Sequence, residues 1–517
     1  MKFKGFQAFG FFLSFALILV TVGGCFKDSD SGSDNEDIQN IRIITTGFLQ
    51  GRMAPFERRY SRNRIRKFGG PSNIAATIDT LIGEAREKGY EPILVDLGDN
   101  LSGSAEALLT KGAVMARFLS ELPLSATLLG NLEFAHGQNP LTKYFQEMKI
   151  PFVASNILKE DGSSLPFTNE YIEQKVGNTK ILIAGLTPPN LKYICLPANT
   201  KGIQVMNWFD DALKAMNKEK AKRNAEILLV LSQESLGKKD EKLKKALNNN
   251  KIDIFVGLDF SRKGIVRESK NGYSITFPGH NRGQRIGITD FSYSKKRGIF
   301  SISTKFKTIE SDRIQGKPSI DKWMTLEIDK YRKELDKEIA VCSADLDRQF
   351  FNEGDTGNLV ADAIKEMTGA SIVCINSGGV ASDLPKGPVK LRALYTMIPY
   401  QNKVVSFNIR GIDFLKFLRA TLGKGSPLQI AGLKIKLRAI EGKRGFEIIN
   451  ITVGGKPVDE NTVYKFATND FLKGRSPQLV ENGEIEEKGL VRDCVSAYLK
   501  QHTPYLPPSK SRIIIDN

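Results

Sequence analysis

Residues 126–134, which read ATLLGNLEF, decide the fold of this chain more than any other stretch. The apolar first half is typical of a buried strand, and the Gly130-Asn131 pair predicts a sharp turn at its end. Residues 92–100, which read PILVDLGDN, repeat the form: an apolar run ends in a turn. Open α/β sheets carry functional residues at such strand ends. The two turns are therefore predicted to meet at one edge of a sheet.

The polar residues of these turns suggest a cation site with one unexpected neighbour. Asp99 and Asn131 both carry side-chain oxygen atoms, which are the ligands that hard divalent cations prefer. The next residue should then be a proton donor or a further ligand. It is Leu132, which can be neither.

The chain around these turns alternates between strand and helix patterns, which predicts layered α/β domains. Apolar residues at helical spacing predict helices over 73–88 and 211–222, and a charged helix over about 319–337 that links two domains. A second α/β region follows from about Ile339, with helices at 357–368 and 412–422 and a hairpin turn at Gly454-Gly455. In the first region the predicted strands are 41–44, 93–97, 152–154, 181–186, 227–231 and 252–256.

The N-terminus predicts export and a lipid anchor. Lys2 and Lys4 precede an uncharged apolar run, residues 11–22, which is too short and too early for a membrane-spanning helix. The run ends in Gly23-Gly24-Cys25, similar to a bacterial lipobox in which Cys25 would be lipidated; an ordinary cleaved signal peptide is the alternative. We therefore assign 1–24 as a lipoprotein signal peptide and 25–40, acidic and rich in serine, as a disordered tether.

Composition leaves the function open. With 517 residues, 41% hydrophobic and 26% charged, the chain can build a sizeable core in more than one domain. The net charge of +17 is scattered and no nucleic-acid motif accompanies it, so a nucleic-acid or adhesion module would rest on charge alone, and specific nucleic-acid binding is not expected. The remaining cysteines follow no disulfide or zinc spacing and are expected to be structural thiols: Cys195, Cys342, Cys374 and Cys494.

Several motifs, taken in order, resemble the bacterial 5′-nucleotidase family. In the first half they are LGDNLSGS at 97–104 and LGNLEF at 129–134; in the second they are GNLVADA at 357–363, NSGGV at 376–380, IPYQN at 398–402 and ATNDF at 467–471. The resemblance implies a calcineurin-like metallophosphoesterase domain over 41–310, four-layered α/β/β/α, then a linker helix over 318–338. It further implies a 5′-nucleotidase C-terminal α/β domain over 339–517.

The same resemblance implies that the metal centre of the family is largely lost. Its first strand ends in an Asp-x-His motif, and here these positions are Phe48 and Gln50. The bridging aspartate is Asp99 and the asparagine ligand is Asn131, but the catalytic histidine is Leu132. The other departures are Ala135 at the aspartate that orients this histidine, Gln233 at a histidine ligand, and Asp259 and Ser261 at a final histidine pair.

The nucleotide pocket is also reduced. Asn376, Gly378 and Gly379 match the family loop that lies near the nucleotide, but its arginine position is Ala381. Aromatic residues that would stack on a base are not evident in the sequence. The loss removes charge-assisted hydrogen bonds and stacking together.

Two interpretations follow. In the first, the protein is a lipid-anchored pseudoenzyme with a binding or structural role, without a cofactor; it faces the periplasm or the cell surface, and a nucleotide or other anion is a candidate ligand. In the second, it is a divergent phosphohydrolase with one Ca²⁺, Mg²⁺ or Mn²⁺ ion held by rebuilt oxygen donors. Those donors would be Asp99, Asn131, Gln50, Gln233 and Asp259.

Overall fold

A computed structural model describes residues 36–61, 64–206, 209–235, 241–259, 266–269, 272–279, 281–441 and 445–516. The predicted signal peptide, Cys25, nearly all of the tether, Ser261 and His280 lie outside these ranges. The first strand begins at Gln39, inside the predicted tether of 25–40, so an unstructured segment could extend only to Ile38. No helix in the described ranges has the length and apolar character needed to cross a membrane.

The strands of the N-terminal half are β1 Gln39–Thr46, β2 Phe56–Ser61, β3 Arg64–Phe68, β4 Glu91–Asp96, β5 Leu124–Leu128, β6 Phe152–Val153, β7 Ile157–Lys159, β8 Tyr171–Val176, β9 Thr179–Leu186, β10 Ile203–Val205, β11 Ile227–Ser235, β12 Ile254–Asp259, β13 Val266–Ser269, β14 Gly272–Pro278, β15 Arg285–Ser294 and β16 Gly298–Thr308. Those of the C-terminal half are β17 Glu338–Cys342, β18 Ile372–Asn376, β19 Gly387–Lys390, β20 Lys403–Arg410, β21 Leu428–Ala431, β22 Leu433–Ala439, β23 Phe446–Val453, β24 Lys456–Pro457, β25 Val463–Asn469, β26 Glu486–Leu490 and β27 Ile513–Asp516.

The helices are α1 Pro71–Glu87, α2 Ala105–Leu109, α3 Ala113–Ser120, α4 Gln138–Gln146, α5 Leu191–Ile194, α6 Phe209–Lys222, α7 Glu241–Asn249, α8 Pro318–Leu335, α9 Asp355–Thr368, α10 Leu391–Met397, α11 Gly411–Leu422, α12 Asp470–Lys473 and α13 Val491–Gln501. Single 3-10 turns cover Glu133–His136, Pro197–Thr200 and Ser377–Gly379.

Two sheets stack face to face in the N-terminal domain. One has the order β16-β15-β1-β4-β5-β6 and the other β13-β14-β12-β11-β9-β8. Alternate residues of the central strands, such as Ile43 of β1 and Ile183 of β9, fill the layer between them. The outer face of the first sheet packs on α1 and α3, and that of the second packs on α6. This confirms the predicted four-layer α/β/β/α arrangement.

The central strands β1, β4, β5 and β6 run parallel, so their carboxyl ends lie at one edge of the first sheet. The register aligns Thr46 with Asp96, the last residues of β1 and β4. Asp96 also pairs with Thr127 of β5. The turns that follow these strands therefore meet, as the sequence predicts.

A long helix connects this domain to the next. In α8, Ile320 and Met324 are buried in the core of the N-terminal domain, and Leu335 is buried at the helix end. Arg392 of α10 then joins both sides of the connection: its guanidinium lies 2.6 Å from Glu106 of α2 and 2.7 Å from Asp336, which follows α8. The helix is thus packed along its length rather than being a free spacer.

The C-terminal domain is built on a sheet of order β21-β18-β25-β20-β26. One face packs on α9 and α13, and the other packs on α11 and on the smaller sheet β24-β23-β22-β27. Gly454 and Gly455 adopt positive φ angles of 58° and 81° in the turn that joins β23 to β24, which confirms the predicted hairpin. The cysteines predicted as structural thiols are buried and unpaired: Cys195, Cys342, Cys374 and Cys494.

Candidate functional site

Three loops meet at the carboxyl edge of the first sheet: residues 47–52 after β1, 97–103 after β4 and 129–134 after β5. We call them together the N-terminal corner. Backbone hydrogen bonds join the first two loops, with the Phe48 amide donating to the Gly98 carbonyl at 2.7 Å and the Gln50 amide to the Asp99 carbonyl at 2.9 Å. Phe48, Gln50 and Asp99 all have positive φ angles, of 58°, 51° and 58°. Such strained backbone clusters at functional sites.

Glu133 organises the corner as a hydrogen-bond acceptor. One carboxylate oxygen accepts from the amides of Asp99 and Gly130 at 2.8 and 2.9 Å, and the other from the amides of Asn100 and Leu101 at 2.7 and 3.4 Å. The side chain is buried. Glu133 therefore holds two loops together by satisfying amides that would otherwise be buried without partners.

A second buried carboxylate, Asp96, completes this framework. It accepts hydrogen bonds from the hydroxyls of Thr46 and Thr127 at 2.7 and 2.9 Å. It also accepts from the Gly98 amide at 2.7 Å and the Asn100 side chain at 2.6 Å. Burial raises the pKa of Asp96, while these bonds act to lower it.

Asp99, the aspartate that matches the bridging ligand of the family, is already engaged by the protein. Its Oδ1 accepts from the Leu132 amide at 3.1 Å, and the side-chain amide of Gln233 hydrogen-bonds to the same carboxylate. Gln233 also donates through Nε2 to the Leu97 carbonyl at 2.9 Å. Gln233 thus offers N–H groups to its surroundings at the position where the family has a metal-binding imidazole.

Burial dominates the electrostatics of the corner. It raises the pKa of Asp99, and the charge of Asp96 raises it further, whereas the bonds from Leu132 and Gln233 lower it. Burial also raises the pKa of Glu133, followed by the charge of Asp99. Several acidic groups thus share a desolvated space.

The first predicted ligand position, Phe48, contributes to the apolar core. The Phe48 side chain is buried in the apolar layer between the two sheets. Two residues on, Gln50 Oε1 accepts a hydrogen bond from Nε of Arg282 at 3.2 Å. The oxygen that could have contacted a metal therefore contacts a guanidinium instead.

The fold places four of the five predicted oxygen donors in the N-terminal corner or against it: Gln50, Asp99, Asn131 and Gln233. The Asn131 carbonyl accepts from Sγ of Cys195 at 3.5 Å, and its amide donates to Asp99. Asp259 ends β12, but its side chain is outside the described part of the chain. No group of three or more His, Cys, Asp or Glu side chains in the described ranges could hold a metal ion.

The donors present do not fit the two-metal centre that the fold family implies. Such a centre needs several imidazole and carboxylate ligands around each ion. Here Asp99 accepts hydrogen bonds from the Leu132 and Asn131 amides and from the Gln233 side chain. We therefore derive no catalytic step through a metal.

His136 follows the corner and is partly buried. It ends the 3-10 turn Glu133–His136, and burial lowers its pKa to about 4, so the ring is neutral at pH 7. It lines a cavity of about 440 Å³ whose walls come from both domains. Across the cavity the C-terminal domain contributes Gln401, Lys403, Asp470 and Glu487.

The C-terminal loop, Asn376–Gly379, is held through Ser377 and Asn376: Ser377 Oγ accepts from Gln429 Nε2 at 3.0 Å, and the Ser377 amide donates to the Pro427 carbonyl at 3.2 Å. Oδ1 of Asn376 accepts from Asn469 Nδ2 at 3.0 Å. A Cβ atom on Gly378 or Gly379 would find its nearest neighbour, the Asn376 side chain, at 3.6 Å, which is ordinary contact. Neither glycine has a positive φ, so the local fold does not require glycine at either position.

Aromatic and basic residues near this loop were not identified from the sequence. Phe350 and Phe351 pack edge to face with ring centroids 4.9 Å apart, and both are exposed. The Arg348 guanidinium lies 4.9 Å from the Phe350 ring centre. The adjacent pair Phe350-Phe351 was a readable signal, but its proximity to the C-terminal loop depends on the fold.

Two further residues connect the domains across the cleft. Burial raises the pKa of Tyr400, with the charge of Asp99 raising it further and that of Arg348 lowering it, so Tyr400 lies within electrostatic range of both. Arg475 lies 5.4 Å from the Tyr193 ring centre and 4.7 Å from that of Phe471. The corner thus opens toward aromatic and basic groups of the C-terminal domain.

Comparisons with known proteins agree with this architecture. Residues 334–477 match the model of the 5′-nucleotidase C-terminal domain. A 5′-nucleotidase of Vibrio vulnificus is 22% identical over 95% of this chain and 95% of its own. The solved 5′-nucleotidase precursor of Thermus thermophilus superposes with a TM-score of 0.77 at 20% identity, covering 92% of this chain and 99% of that one.

A different hydrolase shares the same fold. The sulfate thiohydrolase SoxB of Thermus thermophilus superposes with a TM-score of 0.72 at 16% identity, over 92% of this chain and 97% of that one. The domain match, the full-length relatives and the two-domain fold lead to one assignment. Together they support the 5′-nucleotidase family: residues 334–477 match its C-terminal domain, and the whole chain has the two-domain fold of solved 5′-nucleotidases.

Proposed function

We propose that this protein is a non-catalytic member of the family: a lipid-anchored envelope protein that binds an anionic, nucleotide-like ligand between its domains without hydrolysing it. The observation that carries the proposal is the bond between Gln233 and Asp99. It replaces a metal–ligand contact with a hydrogen bond inside the protein. Leu132 then leaves no group at the catalytic histidine position that could transfer a proton, a function usually worth about 10²–10⁴-fold in rate.

The alternative, a hydrolase with a rebuilt oxygen-donor site for one divalent ion, needs Gln50 and Gln233 to direct their carbonyl oxygens at the ion. Gln50 instead accepts from Arg282, and Gln233 donates to Leu97 and Asp99. A cation there would have to break three protein hydrogen bonds and approach a guanidinium. The geometry favours the non-catalytic function.

Phosphate release by the full chain, purified in detergent, tests the proposal. AMP, ADP and a nitrophenyl phosphodiester are offered with Mg²⁺, Mn²⁺, Ca²⁺ or Zn²⁺, and metal content is measured by elemental analysis. We expect no metal-dependent release and no stoichiometric metal. Turnover that Asp99→Ala abolishes, while the exposed control Asp161→Ala retains it, would contradict the proposal.

The membrane anchor is tested separately, because it rests on residues 1–25 alone. A diacyl-type anchor at Cys25 would move the wild-type protein into the detergent phase on phase separation. We expect Cys25→Ala to leave it in the aqueous phase. Equal partitioning of the two proteins would contradict the lipid anchor at Cys25 and would not affect the ligand-binding proposal.

A further inference from the structure

Two arginines, Arg52 in the N-terminal corner and Arg282 packed against it, have no anionic partner among the described residues. Arg282 donates to Gln50, a neutral side chain, and Arg52 stacks over the Phe56 ring, with its guanidinium carbon 5.2 Å from the ring centre. Neither arginine forms an ion pair with a carboxylate of the described residues. Arg52 is partly buried, and a charge that has lost solvent without a counter-ion costs stability.

The two side chains belong to one small site. The segment that carries Arg282 packs on the first loop of the corner: a Cβ on the next residue, Gly283, would lie 3.2 Å from Leu49 Cδ2. Through its bond to Gln50, Arg282 is anchored two residues from Arg52. Burial, and then the charge of Arg282, lower the pKa of Arg52 to about 10, which agrees with this proximity and leaves Arg52 charged at pH 7.

The nearby carboxylate is already neutralised. Glu106 is the acidic residue whose charge acts on Arg52, but its Oε1 lies 2.6 Å from a guanidinium nitrogen of Arg392. An incoming anion would therefore meet two positive groups without first displacing a salt bridge. Guanidinium groups bind phosphate and carboxylate oxygens through paired N–H donors, which makes them suited to a tetrahedral oxyanion.

We propose that Arg52 and Arg282 bind the phosphate group of a small phosphorylated ligand, with the guanidinium groups doing the charge compensation that metal ions perform in catalytic relatives. Two fixed cations can hold a phosphate, but they cannot generate hydroxide from water as a metal does. The site would therefore retain a phosphate ester intact. This inference rests on the proposed non-catalytic function and names the residues that bind the ligand.

Isothermal titration of the full chain with inorganic phosphate, AMP and uncharged adenosine tests the site. Arg282→Gln removes the charge of this exposed side chain and leaves a shorter polar one, so the fold should be unaffected. We expect phosphate and AMP to bind wild type, and each to bind roughly 10- to 100-fold more weakly to Arg282→Gln and to Arg52→Gln. The affinity of Arg282→Lys should lie between those of wild type and Arg282→Gln, because lysine keeps the charge and loses the paired donors.

Arg438→Gln is the matched control, since Arg438 is an exposed arginine on β22 of the other domain. It removes the same net charge and should change affinity less than twofold. If neither phosphate nor AMP binds wild type, or if Arg282→Gln binds both as tightly as wild type, the two-arginine site is wrong. Tight AMP binding that both glutamine variants retain would still leave the proposed ligand-binding function standing.

Turnover separates the two proposals. If wild type hydrolyses AMP, the non-catalytic function fails. The arginine site is then judged by phosphate as a product inhibitor: a 10-fold weaker inhibition constant in Arg282→Gln supports it, and an unchanged constant overturns it.

Discussion

The N-terminal corner and the C-terminal loop both match motifs of the 5′-nucleotidase family, but the protein holds them in different ways. In the corner, Glu133 accepts four hydrogen bonds from backbone amides, and Asp96 accepts one from a backbone amide and three from side chains. In the loop, Asn376 accepts one hydrogen bond from Asn469 and Ser377 accepts one from Gln429, and the two glycines have room for a side chain. Folding thus accounts for Glu133 in the corner motif, whereas it does not require the two glycines of the loop motif. Residues that match the family motifs can therefore be present for different reasons, structural in one region and not in the other.

The largest loss of stability is expected on replacing Glu133, the residue that holds the loops of the corner together. Glu133→Ala would leave four buried amides without their acceptor, at a cost of about 1–3 kcal/mol for each amide that water does not reach. We expect the free energy of unfolding to fall by at least about 3 kcal/mol, as measured by urea denaturation. Glu147→Ala, at an exposed position, should change it by less than about 0.5 kcal/mol. A small effect at Glu133 would show that the corner does not need this carboxylate.

Glycine replacements compare the two regions directly. A Cβ on Gly130 would overlap the Gln233 amide and Asp99 Oδ1, so Gly130→Ala should cost about 1–3 kcal/mol. Gly378→Ala should change stability by no more than about 0.5 kcal/mol, because its Cβ would meet only ordinary contacts.

A double variant shows whether the overlap is the cause. Gly130→Ala combined with Gln233→Ala should be less destabilised than the sum of the single variants, because the second change makes room for the first. If the losses of stability of the two single variants simply add, the strain caused by Gly130→Ala does not arise from overlap with Gln233. Equal costs at Gly130 and Gly378 would remove the contrast between the two regions.

The pH dependence of stability gives the smallest of the three expected effects. Because burial raises the pKa of Asp99, its contribution is intact below the unfolded pKa of about 4 and is lost as pH rises through the folded value. Asp99→Asn removes this term, so between pH 4 and 8 the wild type should lose about 1–2 kcal/mol more than the variant. Urea denaturation at several pH values measures the difference.

Asp161→Asn is the control for this experiment, since Ser163 lowers the pKa of that exposed carboxyl and burial plays little part. It should not flatten the pH profile. The reverse result, Asp99→Asn less stable than wild type at pH 8, would mean that a positive partner holds Asp99 charged. A bound cation would be the first candidate, and the comparison would then favour the hydrolase interpretation.

Much of the architecture could be predicted from the sequence. The apolar runs at Ile93 and Ile181 have strand length, the stripe from Ile320 to Leu335 has helical spacing, and Gly454-Gly455 marks its hairpin. These signals are local, because they depend on residues a few positions apart. The layered fold and the meeting of the strand ends follow from them.

The interactions of the site could not be predicted in the same way. Gln233 contacts Asp99 from a different sheet. Arg282 contacts Gln50 although the two residues are 232 positions apart in the sequence. Arg282 lies in no motif, and its partner is neutral, so charge pairing gave no signal either. Positions such as Leu132 showed which residues of the family pattern are replaced; the contacts made in their place depend on side-chain geometry.

The four-amide role of Glu133 has a consequence for how the Gly-Asn-x-Glu signature is used to recognise enzymes. The glycine is needed for close approach, and the glutamate closes two loops, so both report that a chain adopts this turn. The side chain at position 132, between Asn131 and Glu133, serves neither purpose. It is the position of the signature that bears on proton transfer. A search that scores the signature as a whole would therefore count folded scaffolds as enzymes, and the third position deserves separate inspection before an activity is assigned.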